Sequence, residues 1–203
     1  MAAPQQGKCW ISGRVPALWN QHLCCRSNQF GKDHACRLAA STIPDGKRIF
    51  TIENGSRELA LVREKDGKVT NSVIHTLTRY SENEKQNIDQ DMLLDMALRF
   101  NPEIICVGEM RSSEAYTAQE SARTGHTVLT TIHSNSCEST YSRMRTLCKR
   151  KYDMDDEVLM DLVTEAFPIV VFTKQLENRK RKLMEIMECE ILEDGSRRYR
   201  PLY

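Results

Sequence analysis

A short apolar run, Ile104 to Val107, ends in Gly108-Glu109, and a second, Thr127 to Ile132, is bracketed by His126 and His133. A buried strand that delivers a carboxylate at its C-terminal end places it where open α/β sheets bind their ligands, outside the carboxyl ends of the strands. Histidines on either side of the next strand are expected to bring two imidazoles near the same rim. Residues 101–135 therefore read as the working edge of a nucleotide-hydrolysing α/β domain.

The rest of the chain supports that class. Pro44-Asp45-Gly46 is turn chemistry leading into a strand, Arg48 to Ile52. Leu59 to Val73 reads as a charged hairpin with Lys65-Asp66-Gly67-Lys68 at its tip, because Asp-Gly between apolar flanks favours a tight turn. Met92, Leu93, Met96 and Ala97 recur at helical spacing within Gln90–Phe100, and Pro102 closes that helix. Further helices are expected near 113–124, over 136–150 and over Asp155–Phe167. Strands follow at Ile169–Thr173, Lys182–Leu192 and Arg197–Leu202, the last two joined at Asp194-Gly195. Alternating strands and helices imply a mostly parallel sheet covered on both faces, with a C-terminal β-hairpin.

Composition removes several alternatives. With 203 residues the chain fits one ordinary domain, and 40% hydrophobic content can bury a core. A net charge of +1 argues against a nucleic-acid binder, which usually presents a basic face, so no direct nucleic-acid contact is expected. No apolar run approaches the roughly eighteen residues of a membrane span, and the opening MAAPQQGKCWISG lacks the pattern of a signal peptide. A soluble protein is expected. Eight cysteines include no C-x-x-C pair, so a reduced, structural role is favoured over disulfides or zinc.

Residues 1–38 depart from the pattern. A phosphate-binding loop of the form G-x-x-x-x-G-K-[ST] is needed about here, its backbone amides cradling phosphates and its Lys reaching the outer oxygens. The chain offers only Gly31-Lys32, followed by Asp33, a carboxylate that would repel phosphate. One nucleotide later, the codons from Arg26 to His34 can spell G-x-T-S-S-G-K-T-T at the required spacing. Cys24 and Cys25 then become Ala or Val, the apolar strand that should precede the loop. Residues 1–38 are accordingly read as an out-of-frame translation of that region, with chance, helped by codon degeneracy, as the competing explanation. Residues 39–203 form the domain proper.

From Arg48 onward the chain resembles the type II/type IV secretion ATPases, hexameric traffic motors of pilus assembly, secretion and conjugation, and most of all their tight-adherence branch. Phe50-Thr51-Ile52-Glu53-Asn54 through Glu58-Leu59 resembles the family's acidic box, in which a Glu serves the attacking water. Asn54 stands where that family usually has Asp. Ile104–Arg111 resembles its Walker B segment, in which Glu works through Mg²⁺-bound water, and Thr124-Gly125-His126 through His133 resembles its His box. The family's N-terminal domain has no counterpart in this sequence.

The resemblance implies a P-loop NTPase of RecA-like, three-layer architecture. It further implies ATP and Mg²⁺, the latter held by Glu109 through water, and nucleotide contacts from Gly31 and Lys32. A homo-hexamer docked on an inner-membrane platform protein would follow, cytoplasmic and peripheral to the inner face of the membrane. Glu53, Glu109, His126, His133 and Arg111 are the catalytic candidates.

Each has a plainer alternative. Glu53 could be a solvated strand-end carboxylate, or could orient water. A lone carboxylate such as Glu109 after an apolar strand needs a cation or hydrogen-bond partner. The histidines could be ordinary strand-edge residues, or could contact the γ-phosphate and relay its presence to a neighbouring subunit. Arg111 and Arg123 could neutralise transition-state charge, or could pair with Glu114 or Glu120; Arg79 is a further candidate. The run Asn178–Lys182 reads most simply as a solvated turn. A non-catalytic pseudo-ATPase that keeps only its assembly surface is the main alternative, and a helicase on the same fold a weaker one.

Overall fold

The computed structural model describes residues 23–26, 40, 42–178 and 180–203, with backbone only for 23–26 and Arg181. Ten strands and four α-helices are present among them. In chain order they are β1 (Leu23–Arg26), β2 (Arg48–Glu53), β3 (Glu64–Lys65), β4 (Lys68–Val69), β5 (Ser72–Leu77), α1 (Gln90–Ala97) and β6 (Ile104–Val107). Then come α2 (Glu114–Arg123), β7 (Thr127–Thr131), α3 (Cys137–Cys148), α4 (Asp156–Ala166), β8 (Ile169–Gln175), β9 (Arg181–Ile191) and β10 (Arg197–Pro201).

One eight-stranded sheet runs in the order β10-β9-β8-β1-β7-β6-β2-β5. Its six strands from β8 to β5 are parallel, while β9 and β10 extend it as an antiparallel pair. The expected mostly parallel sheet with a terminal hairpin is present; of the basic run, Asn178 and Lys180 lie between β8 and β9, and Lys182 is already on β9. Leu23–Arg26 occupies the middle of the sheet, in register with β7 on one side and β8 on the other.

Local chemistry explains where elements begin and end. The Asp89 side chain accepts from Met92 N–H to start α1, and Asp155 does the same for Glu157 and Val158 at α4. Ser136 and Ser139 form a reciprocal capping box at α3. α1 tightens into a 3₁₀ turn and stops at Asn101, whose φ of 48° is left-handed, just before Pro102. At the small hairpin, Asp66 and Gly67 both have positive φ, 52° and 71°, as a type I′ turn requires.

The core divides by sheet face. All four helices pack on one face, where Leu94, Ala118, Met144 and Val163 meet Phe50, Ile105, Val128 and Val170. On the other face Ile49, Ile104, Cys106 and Leu129 are covered by Ala40, Ile43, Leu59 and Leu61 among the described residues. Side chains alternate across a strand, so β2 and β6 are apolar on both faces and read as unbroken runs.

The strand β5 departs from expectation, since the predicted hairpin Leu59–Val73 absorbed its start. Ser72–Leu77 is an edge strand that pairs only with β2, so it can carry Ser, His and Thr between its apolar residues.

Candidate active site

Because the six central strands are parallel, their C-terminal ends make one rim: Arg26, Glu53, Leu77, Val107, Thr131 and Gln175. Three loops that carry predicted site residues leave from it. Gly31 and Lys32 lie outside the described residues.

Past Val107 the backbone stays anchored to its neighbours. Gly108 N–H donates to Ile52 C=O at 2.8 Å, and Thr131 Oγ1 donates to Gly108 C=O at 2.5 Å. Met110 N–H then bonds Thr131 C=O at 2.8 Å, so Glu109 is pinned between the ends of β2 and β7. Gly108 does not open toward a ligand here. A Cβ on it would stand 3.5 Å from Glu53 Cγ, which puts the two acidic strand ends side by side.

Glu109 is mostly buried, with 11% of its side chain exposed. Its Oε1 lies 2.8 Å from His133 Nε2, and its Oε2 pairs with the Arg111 guanidinium. Gln90 Nε2 donates to its carbonyl at 3.1 Å. The side-chain hydrogen bond from Arg111 to the Glu109 carboxylate, ahead of the nearby charges of Glu109, Glu58 and Glu114, holds the Arg111 guanidinium above its ordinary basicity. Arg111 remains exposed, its side chain 65% open, so the pair presents a cation at the rim. The Glu114 carboxylate is spent locally: it accepts from the backbone N–H groups of Arg111 and Ser112 at the start of α2.

Glu53 is more deeply buried, 3% exposed. Its Oε2 accepts from Glu58 N–H at 2.5 Å and Leu59 N–H at 2.6 Å, which closes the loop 54–59. Its Oε1 faces Thr51 Oγ1 at 3.5 Å and His75 Nδ1 at 3.8 Å. The solvated strand-end alternative is thus excluded by burial. Asn54, in place of the usual Asp, accepts from Thr78 Oγ1 at 2.7 Å and so ties the same loop to the end of β5.

His126 and Arg123 do not join the cluster. His126 precedes β7 by one residue and His133 follows it by two, so seven residue steps separate them, roughly 23 Å at about 3.3 Å per residue. The imidazole of His126 sits beside Thr124 Oγ1 at 3.4 Å, at the end of the sheet where Thr127 N–H meets Glu103 C=O. The expectation of two histidines on one rim is corrected by strand direction: residues bracketing a strand lie at its opposite ends. Arg123 takes the salt-bridge alternative, with Glu165 at 2.9 Å and Glu120 at 3.2 Å. Arg79 bridges to Ile88 through its backbone.

His75 and Thr51 were not singled out from the sequence. Both sit mid-strand among β-branched residues, and only the β2–β5 register brings them together.

The sequence profile of the type II/IV secretion system protein family matches residues 31–194. The chain belongs to that family. Curated relatives agree: the competence protein ComGA of Halalkalibacterium halodurans is 30% identical over 130 residues, covering 58% of this chain and 37% of that protein. The protein VirB11 of Rhizobium radiobacter is 26% identical over 182 residues, covering 87% and 49%. The type IV pilus assembly ATPase PilB of Pseudomonas aeruginosa is 28% identical over 157 residues, covering 64% and 28%. This secretion-family chain therefore spans half or less of the length of these relatives.

Among solved structures, the VirB11 ATPase of the Brucella suis type IV secretion system, in complex with sulphate, superposes with a TM-score of 0.72 at 22% identity. The match covers 88% of this chain and 50% of that one. The pilus retraction motor PilT with bound ADP gives 0.59 at 20% identity, covering 91% and 53%. These two likenesses establish the fold. No helix among the described residues is long and apolar enough to cross a membrane.

Proposed function

We propose that this domain is the ATP-hydrolysing part of a secretion or pilus-assembly motor, with Glu109 at the centre of its chemistry. The observation that carries the reading is the placement of Glu109 on the carboxyl rim of a parallel sheet, clasped by His133 and Arg111. The family relatives named as ATPases support it.

In this reading the substrate is ATP, and Mg²⁺ would be held at Glu109. A single carboxylate suits Mg²⁺, which keeps several waters and takes its remaining ligands from substrate phosphates. The ion would supply charge neutralisation at the phosphates. His133 fixes Glu109 Oε1 from one side and stands where it can register an incoming phosphate. Arg111, exposed and strongly basic, supplies a positive charge held by Glu109 at the position where anionic charge develops. Glu53 holds the loop 54–59, whose Glu58 adds to the negative charge that keeps Arg111 basic.

Gly31 and Lys32 would contribute to nucleotide contact, within the phosphate loop encoded in the alternate frame. Assembly would be a homo-hexamer at an inner-membrane platform protein, cytoplasmic and peripheral to the membrane, and the output would be movement of pilin or another protein substrate.

The second reading, a pseudo-ATPase, is favoured by Asp33, which follows Gly31-Lys32 and places a carboxylate where phosphate would sit. Calorimetric titration with Mg-ATP separates them. The chain as written is expected to bind in the millimolar range or not at all. The chain with Gly-x-Thr-Ser-Ser-Gly-Lys-Thr-Thr restored over residues 26–34 is expected to bind in the micromolar range. Micromolar binding by the unaltered chain would refute the frame argument, and no binding by either would refute the ATPase reading.

A further inference from the structure

The buried polar groups beneath the rim are not all accounted for by holding one loop. His75 faces Thr51 across the β2–β5 pair, with Nδ1 2.9 Å from Thr51 Oγ1, and that hydroxyl is 3.5 Å from Glu53 Oε1. The other ring nitrogen, Nε2, is buried with no hydrogen-bond partner among the described residues. A chain of three side chains thus runs from the sheet edge to the carboxylate that closes the loop 54–59.

We infer that His75 is a positioning residue for Glu53, acting through Thr51: His75 Nδ1–H donates to Thr51 Oγ1, which donates its own proton to Glu53 Oε1. This rests on the reading of the rim as the working site, because it concerns the carboxylate beneath it.

The direction of the chain follows from counting protons. Thr51 has one hydroxyl hydrogen and can donate to His75 or to Glu53, not to both. If it donated to His75, Glu53 Oε1 would face no donor among the described residues while His75 kept an unmet Nε2–H. A buried, unmet carboxylate oxygen is the costliest of these vacancies. With the donation toward Glu53, the single unmet group is a neutral imidazole lone pair, the cheapest atom in the chain to leave without a partner.

The alternative of an imidazolium is disfavoured by its surroundings. Burial first, and then the Arg57 charge, push the His75 pKa down; Glu53 opposes them and does not prevail. Arg57 and Glu53 are the charged groups that face the ring from the loop and from β2, and β5 is the edge of the sheet.

The consequence is mechanical. Glu53 Oε1 is held from the β5 side and Oε2 grips the amides of Glu58 and Leu59, so rotation of the carboxylate would release the loop 54–59 beside Gly108-Glu109. His75 therefore sets, at two removes, the geometry of the loop next to Glu109.

The test uses the full chain labelled with ¹⁵N, and reads no turnover, so it is decided independently of whether the chain hydrolyses ATP. Long-range ¹H–¹⁵N correlation, with the His75 signals assigned by their loss in His75→Asn, should show a protonated Nδ1 and a bare Nε2 near neutral pH. In Thr51→Val and in His75→Leu, amide exchange at Glu58 and Leu59 should quicken about tenfold, the effect of one lost hydrogen bond to a charged group, while Met144 in α3 is unchanged. His75→Asn, whose amide can donate from the Nδ1 position, should restore the slow exchange.

If His75→Leu does not fold, Thr51→Val alone decides. A protonated Nε2 with a bare Nδ1 in the unaltered chain would overturn the assignment. So would unchanged exchange at Glu58 and Leu59 in Thr51→Val, or exchange in His75→Asn as fast as in His75→Leu.

Discussion

His133 Nε2 lies 2.8 Å from Glu109 Oε1, so the second residues beyond two adjacent parallel strands meet over the rim of the sheet. The contact arises because β6 and β7 run in register, Val107 against Thr130, and each continues past its last paired residue on the same side. A histidine and a carboxylate 24 positions apart in sequence become one unit, with Arg111 as its exposed third member.

The two acidic residues of the site should respond differently to loss of charge. Glu53→Gln keeps an oxygen for the two amides but removes its charge, and hydrogen bonds to charged groups are worth about 1.5–3 kcal/mol against about 0.5–1.5 kcal/mol for neutral ones. Weakening both by about 1 kcal/mol lowers the melting temperature by roughly 4–8 °C, at about 2–4 °C per kcal/mol for a chain of this size. Glu109→Gln, nearer the surface, should shift it by less than about 2 °C. Thermal unfolding of both variants under one condition checks the contrast, and equal shifts would count against it.

Arg111 and Arg123 were equivalent in the sequence and should not be in solution. Arg123 is committed to Glu165 and Glu120 on the surface, and exposed pairs contribute about 0–1 kcal/mol. Arg123→Ala should therefore lower stability slightly and leave ATP turnover of the loop-restored chain intact. Arg111→Ala should reduce that turnover by about 10²-fold or more, as for other preorganised charges at a reacting centre. Steady-state hydrolysis by the two variants measures the difference.

Much of this was legible beforehand. β6 and β7 are buried on both faces, so they stand out as apolar runs, and Gly108-Glu109 marks the rim directly. Asp-Gly at 66–67 and Asp-Gly at 194–195 gave both hairpin turns through their need for positive φ. Edge strand β5 was lost because half its residues can be polar, and His75 went with it. The separation of His126 from His133 needed only the rise of a strand. Glu53 was identified as a working carboxylate, but its grip on Glu58 and Leu59 depends on a loop path that no residue pattern encodes.

Cysteine chemistry follows from burial. Cys106, Cys137, Cys148 and Cys189 are buried, and burial pushes the Cys148 thiol up to about 12 and the Cys189 thiol to about 11, from 9.0. Site-resolved alkylation at neutral pH should leave these four unmodified until the chain unfolds. Because the folded thiols hold their protons above pH 9.0 while the unfolded chain releases them, stability should fall as pH rises from about 9 to about 12. Urea midpoints across that range check the sign, and a midpoint that rises would contradict it.

The most direct test of the account is Mg-dependent ATP hydrolysis by the loop-restored chain, compared with the same chain carrying Glu109→Gln. The substitution keeps shape and hydrogen bonding but removes the charge that His133 and Arg111 hold at the rim. Turnover should drop by about 10²–10⁴-fold. ATP affinity should change by less than about tenfold, or about 1.4 kcal/mol. An unchanged kcat in a folded Glu109→Gln variant would remove Glu109 from the chemistry and, with it, the central claim.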